Sequence, residues 1–475
     1  MPVDANINKT IEHYKKVLNT KQNFDIVYRT IQICSKTAAI FFVDGFAKDE
    51  QLSKILDTFY RVTDPVLLKD AHTFSKSCIS YGEVTLLSEE ESIIVLLLSG
   101  QTALFVDGFD QAIMIDARTY PQRSTSEPDK DKVFRGSRDG FVETLVLNTA
   151  LIRRRIRDTK LCVTHMEVGT ESHTDIAICY MSDRVDKKLL KLITDKFKNT
   201  TVKSLTMNQE SVAELLVHRK WFNPFPKFKF TERPDTTAAQ ILEGDIAIVI
   251  DNSPSVLLLP SSIFSIMEEA NDYYFPPLTG TYLKLTRAVV MIATVLLTPL
   301  WLLANQYPDF VPGWLQFILV TDEIQVPILA QLLILEFAID GMKIASLNTP
   351  NMLTTSLSIL AAIIVGDYAV QSGWFTPQAL VYTAFVTLAN YSQPGYELGY
   401  ALKFMRLFLL ILTGAFRIWG FSAGVIFMVV LLLCSRTLSG KCYLYPLIPF
   451  NWKLIKRHLF RVSLNAHQGE QRPKK

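Results

Sequence analysis

The chain has 475 residues, of which 49% are hydrophobic and 20% are charged, and its formal net charge is +3. A nearly neutral chain lacks the clustered basic face that nucleic-acid binding requires, so we expect no nucleic-acid partner. The six cysteines show no CxxC spacing, which argues against a zinc site. Residues 1–21 lack the apolar core of a signal peptide, so we expect the N-terminal half to remain cytoplasmic.

Composition divides the chain into two halves. Up to about Tyr282 charged and apolar residues alternate as in a globular protein, whereas charges are sparse from Ala288 to Cys434. We therefore predict an α/β soluble N-terminal region of two subdomains, followed by an all-α multi-span transmembrane helix bundle. The predicted boundaries are 1–132 and 133–275 for the subdomains, 276–436 for the transmembrane domain and 437–475 for a basic cytoplasmic tail.

The first subdomain alternates helices and strands. Residues 103–106 and 112–115 flank Asp107-Gly108, a strong turn signal, and are predicted to form a β-hairpin. Apolar periodicity predicts the remaining elements: helices over 11–18, 49–60 and 89–99, and a buried strand over 38–43.

The second subdomain is predicted to begin with a helix over 141–156, capped by Asp139 or Ser137. Asp235 is expected to cap another helix, and a second hairpin follows it. The other predicted elements are strands over 162–168 and 176–180, a helix over 186–198 and a linker over 221–226. Gly100–Asp107 aligns with Gly244–Asp251, which indicates either a duplicated unit or a chance match between strands.

In the second half, about six spans are predicted. They cover Leu285–Ala304, Gln325–Met342, Leu353–Val370, Phe375–Asn390, and Leu398–Ser435 folded into a hairpin near Gly414, Arg417 and Gly420. Four spans are the alternative, with Gln325–Met342 the first to be dropped. The distribution of Lys and Arg places both termini on the cytoplasmic side, which either even number satisfies.

Small and weakly polar residues form a stripe along the third predicted span. They either pack helices together or line a pore in which the aspartate of each subunit attracts cations. The pore-lining candidates are Thr354, Ser358, Ala361, Ala362, Val365, Gly366 and Asp367. Glu336 and Asp340 either line an inner vestibule or pair with Lys343, Lys403 or Arg406.

Catalytic and cofactor motifs are absent from the sequence, so we expect neither an enzyme nor a cofactor. The segment Gly136–Gly140 resembles a phosphate cradle superficially, but helix capping explains it better. The basic run Arg153–Arg157 either faces phosphate or anionic lipid, or forms a solvated helix end, where cations are favourable.

Three strings are distinctive in combination: residues 135–143 (RGSRDGFVE), 148–156 (NTALIRRRI) and 231–235 (TERPD). With 242–250 (LEGDIAIVI) before the hydrophobic half, the chain resembles the A-subunit family of GerA-type spore germination receptors. With Ser137, residues 221–226 (WFNPFP) and residues 251–256 (DNSPSV), the chain looks closer to the stage V sporulation AF branch than to the nutrient-receptor A subunits. The family-motif residues, expected to be structural, are Arg135, Gly136, Arg138, Gly140, Arg153, Arg154, Arg155, Glu232, Arg233 and Pro234.

The resemblance implies a multi-pass protein of the spore inner membrane that assembles as homo-oligomers, expected to be pentamers, around a pore for monovalent cations. It implies receptor B and C subunits, or a small membrane partner, as associates. A non-conducting scaffold that organises receptors through its soluble domain is the alternative. A carrier is a third possibility, although no internal repeat in the membrane half supports it.

Overall fold

The computed structural model describes residues 3–47, 49–120, 133–217, 221–321, 324–348 and 368–461. It divides into two compact units. The first comprises the described residues up to 217 and Phe228–Ser261, and the second comprises residues 221–227 and the described residues from Ser262 onward. The first unit has the predicted α/β character, with two antiparallel sheets, and the second unit is helical.

The first sheet has five antiparallel strands in the order β1-β2-β4-β5-β3. They are β1 (Ile26–Ile33), β2 (Lys36–Val43), β3 (Val84–Leu87), β4 (Thr102–Val106) and β5 (Ala112–Ile115). Its helices are α1 (Ile7–Val17), α2 (Asp49–Tyr60), α3 (Ala71–Cys78) and α4 (Glu90–Leu98). The predicted hairpin around Asp107-Gly108 is confirmed, since β4 and β5 pair directly and Gly108 adopts a φ of +78°.

Both faces of this sheet are covered, which explains why its central strands are apolar throughout. Phe41 and Phe105 belong to a core formed with α1 and α4. Ile40 and Leu104, their neighbours in sequence, belong to a second core formed with α2 and α3. Alternate side chains along each strand therefore enter opposite cores.

The second sheet also has five antiparallel strands, in the order β6-β7-β9-β10-β8. They are β6 (Leu161–Val168), β7 (Thr174–Met181), β8 (Lys229–Thr231), β9 (Ile246–Ile250) and β10 (Val256–Leu259). Its helices are α5 (Leu145–Arg155), α6 (Lys187–Lys198), α7 (Gln209–Leu216) and α8 (Pro234–Glu243).

The two sheets have the same strand order, and β4 in the first corresponds to β9 in the second. Individual hydrogen bonds repeat as well. Asp107, after β4, accepts from the backbone N–H of Ile7 at the start of α1, at 3.1 Å. Asp251, after β9, accepts from the N–H of Leu145 at the start of α5, at 3.0 Å. This agreement favours duplication of one unit over a chance match.

Two predicted helix caps are wrong. Helix α5 begins at Leu145 rather than residue 141, and neither Asp139 nor Ser137 caps it, because Asp251 accepts the first backbone N–H from across the fold. Asp235 lies inside the first turn of α8, where it pairs with the Arg233 guanidinium. A proline at the first helical position needs no acceptor, so α8 begins at Pro234 without a side-chain cap.

The second unit consists of helices in the part of the chain that the structure describes. They are α9 (Ile263–Met267), α10 (Asn271–Tyr274), α11 (Pro277–Gln306), α12 (Ile328–Asn348), α13 (Ala369–Gln371), α14 (Pro377–Tyr391), α15 (Tyr396–Cys434) and α16 (Trp452–Leu459). Helix α15 is broken at Arg417, whose φ and ψ are 51° and −130°. The Phe408 and Phe427 rings on its two limbs lie 5.0 Å apart, which confirms the predicted helical hairpin.

Within the described ranges, two helices are long and apolar enough to cross a membrane, α11 and α15. The predicted number of spans is therefore not established. Helix α12 carries Glu336, Asp340 and Lys343, and α14 has 15 residues, which corresponds to about 22 Å of helix against a hydrocarbon core of about 30 Å. The third predicted span lies mostly outside the described residues.

Candidate functional site

The predicted pore stripe cannot be placed. All of its members, Thr354 to Asp367, lie outside the described residues. The predicted acidic residues of α12, in contrast, are well placed and belong to a cluster of charges inside the helical unit.

Glu336 and Asp340 lie one turn apart on α12 and face two cations of α15. The Glu336 carboxylate lies 3.2 Å from the Lys403 ammonium and 2.7 Å from the Arg406 guanidinium. Asp340 lies 2.5 Å from the same Lys403 nitrogen. Two carboxylates therefore face two cations, and the ion-pair cluster (Glu336, Asp340, Lys403 and Arg406) is electrically balanced.

The ion-pair cluster links three helices. Arg406 also donates to the Thr294 carbonyl of α11 at 2.9 Å, and Lys403 donates to the Glu336 carbonyl at 3.2 Å. The side chains of Glu336, Lys403 and Arg406 are at most 4% exposed. Such charges are costly to bury unless they are paired, so their arrangement constrains how α11, α12 and the first limb of α15 pack together. Lys343, another predicted partner, instead lies over the Tyr391 ring at 4.6 Å.

Arg153 is the centre of a second buried charge site, in the first unit. Its guanidinium makes a two-point contact with the Asp25 carboxylate at 2.8 and 3.0 Å and also donates to the Leu161 carbonyl at 3.3 Å. The Asn23 side-chain oxygen accepts a further hydrogen bond from the Arg153 guanidinium, at 3.4 Å. Arg153 is completely buried, so the expectation of a solvated helix end is wrong for this residue. Its partners come from elsewhere in the chain, which its helical position could not reveal.

The three distinctive strings meet around Ser137. Its hydroxyl accepts from Arg155 at 2.7 Å, and its backbone carbonyl accepts from Arg233 at 2.9 Å. Arg233 also pairs with Asp235 at 2.6 Å, while the Glu232 carbonyl accepts from the N–H of Phe141 at 2.8 Å. The strings therefore form one hydrogen-bonded junction between the loop before α5, the end of α5 and the start of α8.

The other family-motif residues surround this junction. Gly140 and Pro234 are buried, whereas Arg135, Gly136 and Arg138 are exposed on the loop. The Arg154 guanidinium lies 4.3 Å from the centre of the Tyr120 ring. The structure thus brings together Arg155, Glu232 and Arg233, and places Arg135 and Arg138 at the surface beside them.

The side chains at these sites take part in packing and in ion pairs, and the buried thiols nearby have raised pKa values. Burial, together with the nearby Asp25 carboxylate, raises the pKa of the Cys179 thiol, and burial also raises the pKa of Cys162. Both thiols are therefore protonated at neutral pH and poorly reactive. Across the described ranges, no group of three His, Cys, Asp or Glu residues is arranged to hold a metal ion.

Sequence reasoning missed Asp25 and Asn23, the partners of Arg153. Both precede β1, a strand that was also missed because it has an exposed polar centre. Sequence reasoning also missed the ion pairs of Arg287 on α11 with two acids that precede this helix, Asp272 at 2.7 Å and Glu269 at 2.8 Å. A charged residue beside a long apolar segment indicates an ion pair, but the sequence of that segment does not show which residue carries the opposite charge.

Comparison with known proteins decides the family. The model of the Bacillus/Clostridium GerA spore germination protein family matches residues 12–475. The chain belongs to the GerA family. It is 33% identical to stage V sporulation protein AF of Bacillus subtilis (strain 168), over 97% of this chain and 93% of that protein. It is 26% identical to spore germination protein KA of the same organism, over 99% of this chain and 87% of that protein.

One solved structure also matches this GerA-family chain. It is the crystal structure of the N-terminal domain of the A subunit of the Bacillus megaterium spore germinant receptor GerK3, with 24% sequence identity and a TM-score of 0.41. The match covers 55% of this chain and 96% of that one.

Proposed function

We propose that this GerA-family protein is a membrane subunit of the spore germination machinery that forms a homo-oligomeric, pentameric cation channel and releases ions, or amplifies their release, during germination. The observation that carries the proposal is the family match over almost the entire chain, including similarity to stage V sporulation protein AF. The stripe from Thr354 to Asp367 supplies the pore wall, and both termini lie on the cytoplasmic side of the spore inner membrane.

Two features of the helical unit support a membrane location. Helices α11 and α15 are long and apolar, and both expose large apolar side chains, such as Ile292 on α11 and Ile426 on α15. Apolar surface of this kind is suited to lipid tails or to neighbouring protomers.

The ion-pair cluster supports a particular position for the pore. Because Glu336 and Asp340 already face Lys403 and Arg406, we assign them to helix packing and leave Asp367 as the acid at the pore mouth.

The channel is tested by potassium efflux from liposomes that contain the purified protein, alone and with candidate germination partners. We expect efflux to be reduced by Ser358→Trp, which fills a narrow pore wall, and cation selectivity to be reduced by Asp367→Asn. The matched control is Asp309→Asn, which removes an exposed carboxylate from the connection after α11. Equal behaviour of Asp367→Asn and Asp309→Asn would remove Asp367 from the pore.

The second candidate is a non-conducting scaffold. The first unit favours it, because its two covered sheets form extensive cores of their own. In this case the helices serve as an anchor, and residues 1–275 tethered by an unrelated helix should restore germination in a deletion strain. Restoration by this chimera would exclude the channel, and absence of restoration with normal expression would exclude the scaffold.

A further inference from the structure

The end of helix α15 is surrounded by exposed apolar side chains that the proposed channel does not use. We propose that this surface, the aromatic rim, lies in the headgroup region of an anionic lipid bilayer. The aromatic rim consists of Trp221, Phe222, Leu447, Ile448, Phe450 and Trp452, all of which are exposed. Lys453 and Lys456, exposed beside it, would contact lipid phosphates. The inference rests on the proposed insertion of α15 in the membrane and is independent of ion conduction.

Hydrogen bonds hold both segments of the rim at the end of α15. Ser435 follows the last residue of that helix, and its hydroxyl accepts from the side chain of Asn223 at 2.7 Å. The Ser435 carbonyl accepts from the N–H of Tyr443 at 2.9 Å. Tyr443 is completely buried, and its ring lies 6.0 Å from that of Phe225. The segment around Trp221 and the segment after Tyr443 are therefore both fixed at the level where α15 ends.

The side chains on the rim are of the kind that favours the membrane–water interface. Phe450 and Trp452 are 69% and 59% exposed, and their rings stack at 6.4 Å. Ile455, one turn further along α16, is buried, so α16 is held against the protein through this residue. Trp is enriched at the level of lipid headgroups, where its apolar ring and its N–H are both satisfied.

The positive charge beside the rim and the apolar side of α15 both favour a lipid bilayer as the partner that covers the rim. Exposed apolar residues run along the second limb of α15, at Ile426, Val430 and Leu433. The Leu433 carbonyl accepts from the Cys442 thiol at 3.7 Å, and Leu447, in the segment that follows Cys442, is exposed as well. The rim thus extends the surface that faces lipid tails if α15 is inserted. Lys453 and Lys456 add positive charge at its border, as in interfacial helices that bind anionic lipids.

The experiment uses the full chain in liposomes containing phosphatidylglycerol, with a single tryptophan retained. In one protein Trp452 is kept and the other five tryptophans are replaced by Phe. Two controls start from the protein with no tryptophan: Tyr60→Trp, at a position 54% exposed in the first unit, and Ile426→Trp, on the apolar side of α15. Brominated phospholipid should quench the fluorescence of Trp452 and of Ile426→Trp, whereas iodide should quench Tyr60→Trp.

Replacing Lys453 or Lys456 by Gln tests the charge. Each substitution should shift the equilibrium between lipid-bound and water-exposed Trp452 by about fivefold in anionic liposomes. The shift should disappear in phosphatidylcholine liposomes. If Trp452 is as accessible to iodide as Tyr60→Trp while Ile426→Trp is quenched by lipid, α15 is inserted and the rim proposal alone is overturned. If neither Trp452 nor Ile426→Trp is quenched by lipid, membrane insertion itself is wrong.

Two further results also decide the question. Protection of Trp452 that depends on the ratio of protein to lipid would identify a second copy as the occupant and would overturn the proposal. If the substituted proteins do not fold, a photoactivatable phospholipid can be used with the wild-type protein. Labelled peptides from 444–456 would support the rim, and labelling confined to α11 and α15 would overturn it.

Discussion

At the scale of single residues, a few buried charges account for sequence features that helical periodicity leaves ambiguous. Arg153 lies in a run of cations at the end of α5. Cations at a helix C-terminus are usually exposed to solvent and interact favourably with the helix dipole. Instead its guanidinium is buried and bound by Asp25, which precedes β1 in the first half of the same unit. The ion pair therefore joins segments that belong to the two sheets.

Arg153→Ala should destabilise the first unit by about 3–5 kcal/mol, because the Asp25 carboxylate would be left buried without its partner. Cys179 provides the readout, since it is completely buried and its thiol pKa is raised by burial and by Asp25. Labelling of Cys179 by a thiol reagent in increasing urea should occur at a much lower urea concentration in this variant. The control is Arg157→Ala, an exposed cation two residues beyond α5.

Adding Asp25→Asn to Arg153→Met should recover part of the lost stability, because neither charge then remains in the core. A labelling curve for Arg153→Ala that coincides with that of Arg157→Ala would contradict a structural role for the ion pair.

At the scale of elements, the strand order shared by the two sheets makes a paired prediction. Asp107 and Asp251 occupy equivalent places after β4 and β9, and each accepts the first N–H of a helix at a distant point in the chain. Asp107→Ala and Asp251→Ala should each reduce the free energy of unfolding by about 1 kcal/mol, as expected for loss of a helix cap. Urea unfolding measures both, with the exposed Asp110→Ala as the control. A loss in one variant only would show that the two contacts are not equivalent.

The break in α15 makes a second prediction at this scale. A Cβ atom at Gly420 would overlap the Leu412 backbone carbonyl on the other limb of the hairpin. Because that neighbour is backbone, Gly420→Ala should force the limbs apart and cost about 1–3 kcal/mol or more. Gly395→Ala is the matched control, since its added Cβ would meet nothing within 4 Å. Thermal stability in detergent should fall for Gly420→Ala alone, and equal stability would contradict close packing of the limbs at this point.

These elements also show how far sequence reasoning extends. Local signals predicted the hairpin at Asp107-Gly108 and the fold-back near Arg417, because a turn dipeptide and excess helix length are visible within a short window. The start of α5 was misplaced because its cap is Asp251, which lies 106 residues away in the chain. Likewise Lys403 and Arg406 were evident as candidate partners for Asp340, but only tertiary packing assigns Arg406 to Glu336 and Lys403 to both acids.

At the scale of the whole molecule, two units of different character follow each other in the chain. The first has two copies of one sheet topology, with strands buried on both faces, and a buried ion pair between segments of the two copies. The second has long apolar helices whose internal charges are balanced by one another. The family supplies the context of spore germination, and the helical unit supplies surfaces suited to lipid.

The final prediction separates a packing role of the ion-pair cluster from a conducting one. Glu336→Gln leaves Arg406 buried beside a neutral amide, and Lys403 then depends on Asp340 for its opposite charge. If the cluster holds α12 against α15, this variant should lose thermal stability in detergent. The loss should be about 3–5 kcal/mol, as expected when one partner of a buried ion pair is removed. The cation selectivity of the remaining folded protein should be unchanged.

Glu336→Gln combined with Arg406→Met should be more stable than Glu336→Gln alone, because the double variant leaves no unpaired guanidinium between the helices. Asp309→Asn, at an exposed carboxylate after α11, controls for a general effect of lost negative charge on both measurements. A vestibule would give the opposite pattern. In that case Glu336→Gln would alter selectivity with little change in stability, and Arg406→Met would not compensate, since the carboxylate would act on the passing ion rather than on α15.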